Sequence, residues 1–187
     1  MIRRPLECAA AALLALGGLY PVNAAAGSSD ELAADILTGV IPLGALGTTW
    51  LKHDPDGREQ WLWSTGTSLV LNTAARVAFN ETSWGERPNG HPYGFPSGHT
   101  SFIVSGAAFL SERYGWKYGV PAYLASGYVA WVRVDTDHHR WRDIAAAAAL
   151  SWTVSHYLVT PFDEGKTTSL APIIGDDVVG LQLEHRW

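Results

Sequence analysis

The chain has 187 residues, a formal net charge of −5 and a single cysteine, Cys8. This length fits about one domain with a sizeable core, and the mildly acidic charge makes nucleic-acid binding a poor candidate function. One cysteine cannot form an internal disulfide, so stability must come from packing, to which nine tryptophans contribute.

Residues 1–26 have the layout of a secretory signal. Arg3 and Arg4 precede an apolar stretch at 6–20, which is followed by the small-residue run VNAAAG. This pattern predicts export and cleavage near Ala24 or Ala26. Cleavage would remove two arginines and one glutamate, shifting the net charge from −5 to −6. We expect a periplasmic protein, or one on the periplasmic face of the membrane; a retained anchor in the inner membrane is the alternative, although the run is short for a span.

Five uncharged segments follow, separated by polar or Gly/Pro-rich stretches. They cover residues 36–51, 61–75, 102–110, 118–132 and 144–162. Pro96 stands before the third segment and Gly115 after it, as expected at helix ends. We therefore predict an all-α fold for residues 27–165, a compact bundle of about five to six helices.

The C-terminal tail has a different pattern. Leu181, Leu183 and His185 alternate with polar residues, which is the period of a β-strand. We predict that residues 166–187 form an extended tail in which a short strand or hairpin packs on the bundle.

A first polar cluster, GERPNGHPYGFPSGHTSF, occupies residues 85–102. It contains Arg87, and arginine binds oxyanions through a planar fork of donors. Its glycines permit close approach of the backbone to a ligand. Ser97 and Gly98 stand at the start of a predicted helix, where free N–H groups and the helix dipole favour phosphate. The cluster, which also supplies His99, predicts an anion-binding pocket.

A second cluster, WVRVDTDHHRWRDIAAAAAL, covers residues 131–150. His139 and Asp143 are four residues apart, so at a helix start they share a face and the carboxylate can hold one ring nitrogen. The other nitrogen is then free to act as a nucleophile or base. Arg133 lies six residues upstream. Alone, such a His–Asp pair is more often a surface contact; combined with the first cluster, it indicates phosphoryl transfer through a phosphohistidine.

These two clusters resemble the signature of the type-2 phosphatidic acid phosphatase superfamily, which includes bacterial acid phosphatases, lipid phosphatases and vanadium haloperoxidases. The resemblance extends over roughly residues 57–160. The Pro-Ser-Gly-His motif is complete at 96–99, Arg-Pro stands at 87–88, and the third motif is represented by Arg133, His139 and Asp143.

The resemblance implies an all-helical core and a role for each matching residue. His139 would attack phosphorus, Asp143 would orient it, and His99 would protonate the leaving oxygen and then activate water. The groups that would hold the phosphoryl oxygens are Arg87, Arg133, Ser97 and the Gly98 amide. The implied substrate is a phosphomonoester, a lipid phosphate or a lipid pyrophosphate, with no metal or other cofactor. A membrane surface is a further expected partner, and the oligomeric state stays open.

Two positions depart from the family signature. Asn80 occupies the position of a lysine, and Val132 occupies that of a serine. Asn80 is kept as a candidate phosphate-site residue, although it lacks the positive charge that Arg76, one helical turn earlier, could supply. The departures leave open a weakened relative that binds phospholipid or another anion without turnover.

The sequence offers two further candidate functions. A metal site built from His91, His99, His138 and His139 is disfavoured, because adjacent histidines rarely both reach one ion. A haloperoxidase is disfavoured by the short chain. Trp84 is expected either to line a substrate entrance or to pack in the fold.

Overall fold

The computed structural model describes residues 29–163 and the backbone of residues 167–174 and 179–186. Residues 29–163 contain five helices: α1 (Ser29–Leu51), α2 (Pro55–Phe79), α3 (Gly98–Tyr114), α4 (Trp116–Asp135) and α5 (Trp141–Leu158). The predicted all-α bundle is confirmed. The predicted signal sequence at 1–26 lies outside the described residues.

Helix α3 is the centre of the bundle and packs against the other four helices. It begins at the Ser97 cap and ends at Gly115, whose φ of 83° is accessible at little cost to glycine alone. Ile103 and Phe109 are fully buried on it. A Cβ atom added at Gly106 would lie 2.5 Å from the Cα atom of Pro42, so glycine is what lets α1 approach α3 closely.

A buried ion pair stabilises the C-terminal end of α3. Arg113 donates to both carboxylate oxygens of Asp54, at 2.6 and 2.8 Å, and Asp54 also caps α2 by accepting from the Gly57 N–H. Surface depressions of about 440 and 300 Å³ lie beside this pair, near Lys52 and Phe162. None of the predicted site residues lines them, because those residues gather at the opposite end of α3, about 24 Å away.

Helix α1 has one buried and one exposed side. Its buried residues are Ala34, Thr38, Pro42, Ala45 and Thr49. Its exposed apolar residues include Leu32, Ile36, Val40 and Leu43. Among the described residues, α1 is the one helix long and apolar enough to cross a membrane, a property shared by core helices of soluble proteins and by signal sequences.

The tail backbone is extended, as the alternation predicts. β1 (Thr167–Ile174) pairs antiparallel with β2 (Val179–Arg186), with Thr167 opposite Arg186 and Ile174 opposite Val179. β1 runs beside α2.

Candidate functional site

The site lies at the N-terminal end of α3. Three other segments meet there: the loop 80–97, the C-terminal end of α4, and the loop 136–140 that leads into α5. These segments and the first turn of α5 carry all eight site residues predicted from sequence, and they contact one another directly. The Ser97 N–H, for example, donates to the Asp143 carbonyl oxygen at 3.1 Å.

His139 is almost completely buried, with 2 % of its surface accessible. Its Nδ1 atom lies 2.8 Å from the Gly94 carbonyl oxygen and 3.8 Å from Asp143 Oδ2. A carbonyl can only accept, so this hydrogen bond places the proton on Nδ1 and leaves the lone pair on Nε2. His139 precedes the first residue of α5 by two, so its proximity to Asp143 is a loop-to-helix contact and not the shared helix face that the spacing predicts.

Electrostatics favour the neutral form of His139. Burial lowers its pKa, the Asp143 carboxylate opposes that effect, and the positive charge of Arg87 reinforces it. The pKa therefore lies below that of an ordinary histidine. At neutral pH the imidazole keeps the lone pair that a nucleophile requires.

The Asp143 carboxylate is fully buried in the first turn of α5. It accepts from the Arg140 N–H at 2.7 Å, and Arg142 Nε lies 3.4 Å from its other oxygen. Although burial raises its pKa, these contacts and the nearby His139 hold the pKa of Asp143 below its usual value. The group is therefore ionised at neutral pH and can stabilise positive charge on the imidazole.

Ser97 and Gly98 form the start of α3, and both are buried. Ser97 Oγ accepts from the Thr100 N–H at 3.3 Å, which caps the helix. That contact leaves the hydroxyl proton of Ser97 as a donor. The helix start therefore offers a hydroxyl and backbone N–H groups to an anion.

Arg87 and Arg133 supply positive charge. In each, the Nε–H is buried without a hydrogen-bond partner among the described residues. Burial lowers the pKa of both arginines, and the neighbouring positive charge of Arg76 lowers that of Arg87 further. A buried, unsatisfied cationic donor is costly, and a bound oxyanion would satisfy it.

His99 lies on the first turn of α3, with a third of its side chain accessible. Its Nε2 atom is 3.6 Å from Asp35 Oδ1, and Asp35 also forms an ion pair with Arg133. Burial lowers the pKa of His99 to about 3, and the charge of Arg87 and that of His139 in its protonated form act in the same direction. The ring is therefore neutral at pH 7.

The amide of Asn80 is engaged by the loop that it begins. Its Oδ1 accepts from the Tyr93 N–H at 3.0 Å, and its Nδ2 donates to Glu81 at 2.9 Å. Arg76 lies beside it, with its guanidinium 5.6 Å from the Tyr93 ring centroid and Nη2 3.5 Å from the Tyr93 carbonyl oxygen. These contacts hold the loop 80–97 in place, and the role of Asn80 as a phosphate ligand stays a prediction.

Trp84 is 42 % exposed and also contacts neighbouring rings, so neither expectation for it is excluded. Its ring centroid lies 4.8 Å from that of Phe95 and 5.9 Å from that of Phe79, and the Arg142 guanidinium lies over the ring at 4.8 Å from its centroid.

His138 Nδ1 is 2.9 Å from Thr136 Oγ1. Within the described part of the chain, no three His, Cys, Asp or Glu side chains are grouped to hold a metal ion, so nothing in that part supports a metal site.

Sequence reasoning missed two groups. The Gly94 carbonyl is a backbone group and has no side-chain signal. Asp35 is the lone acidic residue between Glu31 and Asp54 in an otherwise apolar stretch, and that isolation is the signal that could have found it.

Comparisons with known proteins identify a family and two relatives. The family profile described as PAP2 superfamily matches residues 49–164. The chain is 31 % identical over 114 residues to a lipid A 4'-phosphatase of Helicobacter pylori strain J99, covering 60 % of this chain and 54 % of that protein. It is 40 % identical over 58 residues to a lipid A 1-phosphatase of H. pylori strain 26695, covering 29 % and 30 %. The chain thus spans about half the length of one of these relatives and a third of the other. No solved structure matches.

Proposed function

Since the chain belongs to the PAP2 superfamily, we propose that it is a phosphatase that removes a phosphate group from a lipid through a phosphohistidine on His139. One observation carries the proposal. The Gly94 carbonyl oxygen accepts a hydrogen bond from the Nδ1–H of the buried His139, which supports Nε2 as the nucleophile at the end of α3 where the proposed anion-binding groups gather.

In the first step, His139 Nε2 attacks phosphorus while the bond from phosphorus to the leaving oxygen breaks. His99 donates a proton to that oxygen, and Asp143 stabilises the positive imidazole. The phosphoryl charge is held by Arg87, Arg133, Ser97 and the Gly98 amide, a form of stabilisation that is usually the largest single term in catalysis.

In the second step, a water molecule attacks phosphorus and the phosphorus–nitrogen bond breaks. His99, now neutral, accepts a proton from the water, and inorganic phosphate leaves. The negative charge of the bound phosphoryl group raises the pKa of His99 from its low value in the free protein, so the same ring can hold the proton that the first step needs.

The proposed substrate class is a phosphorylated glycolipid of the lipid A type. Both relatives described above are lipid A phosphatases, which supports this choice. The exposed apolar side of α1 would suit a protein that works at a lipid surface, and the signal-like residues 1–26 suggest that it works outside the cytoplasm.

The test measures phosphate release by the full chain in detergent micelles. Substrates are lipid A, phosphatidate, undecaprenyl pyrophosphate and p-nitrophenyl phosphate. We expect the fastest turnover with lipid A and none for His139→Ala. His156→Ala is the matched control, because His156 is an exposed histidine whose Nδ1 lies 3.3 Å from Glu112 Oε1, away from the site. A rapid acid quench should trap acid-labile phosphate on the wild-type chain.

Three results would contradict the proposal. Residual activity of His139→Ala would remove the nucleophile, and an acid-stable phosphoenzyme would indicate a different residue. Activity abolished by EDTA and restored by zinc would replace the mechanism with a metal-dependent one.

A second candidate function is anion binding without turnover. The engagement of the Asn80 amide by Tyr93 and Glu81 favours it, because the position of the family lysine then supplies no charge. Binding of phosphate or vanadate with no release from any substrate in the panel would establish it.

A further inference from the structure

Asp35 of α1 bridges two residues of the proposed mechanism. Its Oδ1 atom forms an ion pair with Arg133 Nη2 and lies 3.6 Å from His99 Nε2. Asp35 precedes the region that matches the family profile, residues 49–164, so no motif of that region includes it. Helix α1 thereby contributes a charged group to a site otherwise built from residues 80–143.

The ion pair accounts for the burial of Arg133. Only 4 % of Arg133 is accessible, and a buried guanidinium needs a carboxylate partner to offset its lost hydration. Asp35 engages Nη2, while Nε is left without a hydrogen-bond partner among the described residues. Because the guanidinium is planar and rigid, fixing Nη2 also fixes the direction in which Nε presents its proton.

The second contact places negative charge beside His99. Groups that carry a positive charge or gain one on protonation lie near this ring on α2, the loop 80–97 and the loop before α5: Arg76, Arg87, His138 and His139. All of them oppose a proton on His99. Asp35 supplies a negative charge within 4 Å from the remaining side, that of α1.

We propose that Asp35 is a positioning residue, which holds Arg133 in the direction that receives the phosphoryl group and favours the protonated form of His99 during the first step. This inference rests on the proposed function. It deepens that function by making α1 a part of the catalytic unit.

The test compares Asp35→Asn and Asp35→Glu with Asp30→Asn in the full chain. Asp30 is the matched control, because it lies on the same helix and its carboxylate accepts from the Tyr128 hydroxyl at 2.9 Å. The readouts are kcat, KM, the pH profile, vanadate inhibition and the melting temperature. We expect Asp35→Asn to lower kcat by about 10²-fold, as loss of assistance to a general acid does.

The pH profile separates positioning from mere structural support. Without the carboxylate, His99 loses its proton at a lower pH. The basic limb of the pH profile of kcat should therefore shift to lower pH. Asp35→Glu should recover part of kcat and of the profile, and Asp30→Asn should leave both unchanged.

Each other outcome overturns the inference. If Asp35→Asn raised kcat/KM and tightened vanadate inhibition, Asp35 would be an internal anion competing with substrate. If kcat fell only in step with the melting temperature and the profile kept its shape, Asp35 would be structural. If the wild type is active and Asp35→Asn has the same kcat and pH profile, this inference alone is overturned. If the wild type is inactive on every substrate, the proposed function is overturned as well.

Discussion

The backbone N–H of Ser97 donates to the carbonyl oxygen of Asp143 at 3.1 Å. This bond joins the first turn of α3, which presents donors to an anion, to the first turn of α5, whose carboxylate lies beside His139. Because both atoms belong to the backbone, the spacing between the two turns does not depend on any rotamer. The start of α3 and the turn that places Asp143 beside His139 are therefore held at a fixed spacing.

His99→Ala should accumulate the phosphoenzyme. With a good leaving group the first step needs no general acid, while the second step still needs a base to activate water, so breakdown becomes slower than formation. Rapid-quench measurement with p-nitrophenyl phosphate should show a burst followed by slow turnover. Equal single-turnover and steady-state rates in the variant and the wild type would remove His99 from the mechanism.

Asp143→Asn should slow the first step by about 10²-fold while the fold is kept. The amide oxygen can still accept from the Arg140 N–H, and Gly94 still fixes the His139 tautomer, so the main loss is the charge that stabilises the imidazolium. Single-turnover kinetics together with the melting temperature test this expectation. A large fall in melting temperature would show that Asp143 is chiefly structural.

Binding of an oxyanion should be accompanied by proton uptake. The pKa of His99 is about 3 in the free protein, and a bound dianion raises it, so the ring gains a proton on binding and affinity weakens as pH rises. Tungstate suits the test, since it stays a dianion near neutral pH. Calorimetry in buffers of different ionisation enthalpy measures the uptake. His99→Gln should abolish it, and no uptake in the wild type would contradict the assignment.

Arg76→Gln should weaken vanadate inhibition by about tenfold, which corresponds to ~1.4 kcal/mol. The reason is that Arg76 lies close enough to lower the pKa of Arg87 and of His99 by its charge. Asn80→Lys should give no gain, because it breaks the bond to the Tyr93 N–H. Lys117→Gln, near the opposite end of α4 from Arg133, controls for net charge. Tighter inhibition in Asn80→Lys would show that the lysine position reaches the phosphate.

Gly106→Ala should lower the free energy of unfolding by about 1–3 kcal/mol, since the new Cβ would lie 2.5 Å from the Pro42 Cα atom and force α1 away from α3. Gly127→Ala is the control, because no atom lies within 4 Å of a Cβ there and alanine favours a helix by roughly 0.5–1 kcal/mol. Denaturant unfolding compares the two variants. Equal stability would mean that the helices adjust freely.

The proximity of the candidate site residues could be predicted, because they lie on short segments with clear sequence patterns; their roles stay predictions. Ser97 caps α3 as a serine before a helix start should, and the five helices follow the uncharged stretches. The four-residue spacing predicted that His139 and Asp143 lie close together, and they do. The contact joins the loop before α5 to the first turn of that helix.

The remaining parts depend on tertiary packing, which local patterns do not encode. Asp35 reaches Arg133 across 98 residues, and its position depends on how α1 crosses α3. The Asn80 amide turns towards Tyr93 because the loop between them folds back, a path that glycines at 85 and 94 permit.

The hydrogen bond from His139 to Gly94 has a consequence for genetics. Every amino acid carries a backbone carbonyl, so a codon scan across position 94 would change the shape of the loop without deleting the acceptor. No amino-acid substitution can therefore remove the carbonyl oxygen that sets the tautomer of His139. It becomes accessible by chemical synthesis: replacing Phe95 with its α-hydroxy acid turns the Gly94 carbonyl into that of an ester, a poorer acceptor, while the side chains stay as they are.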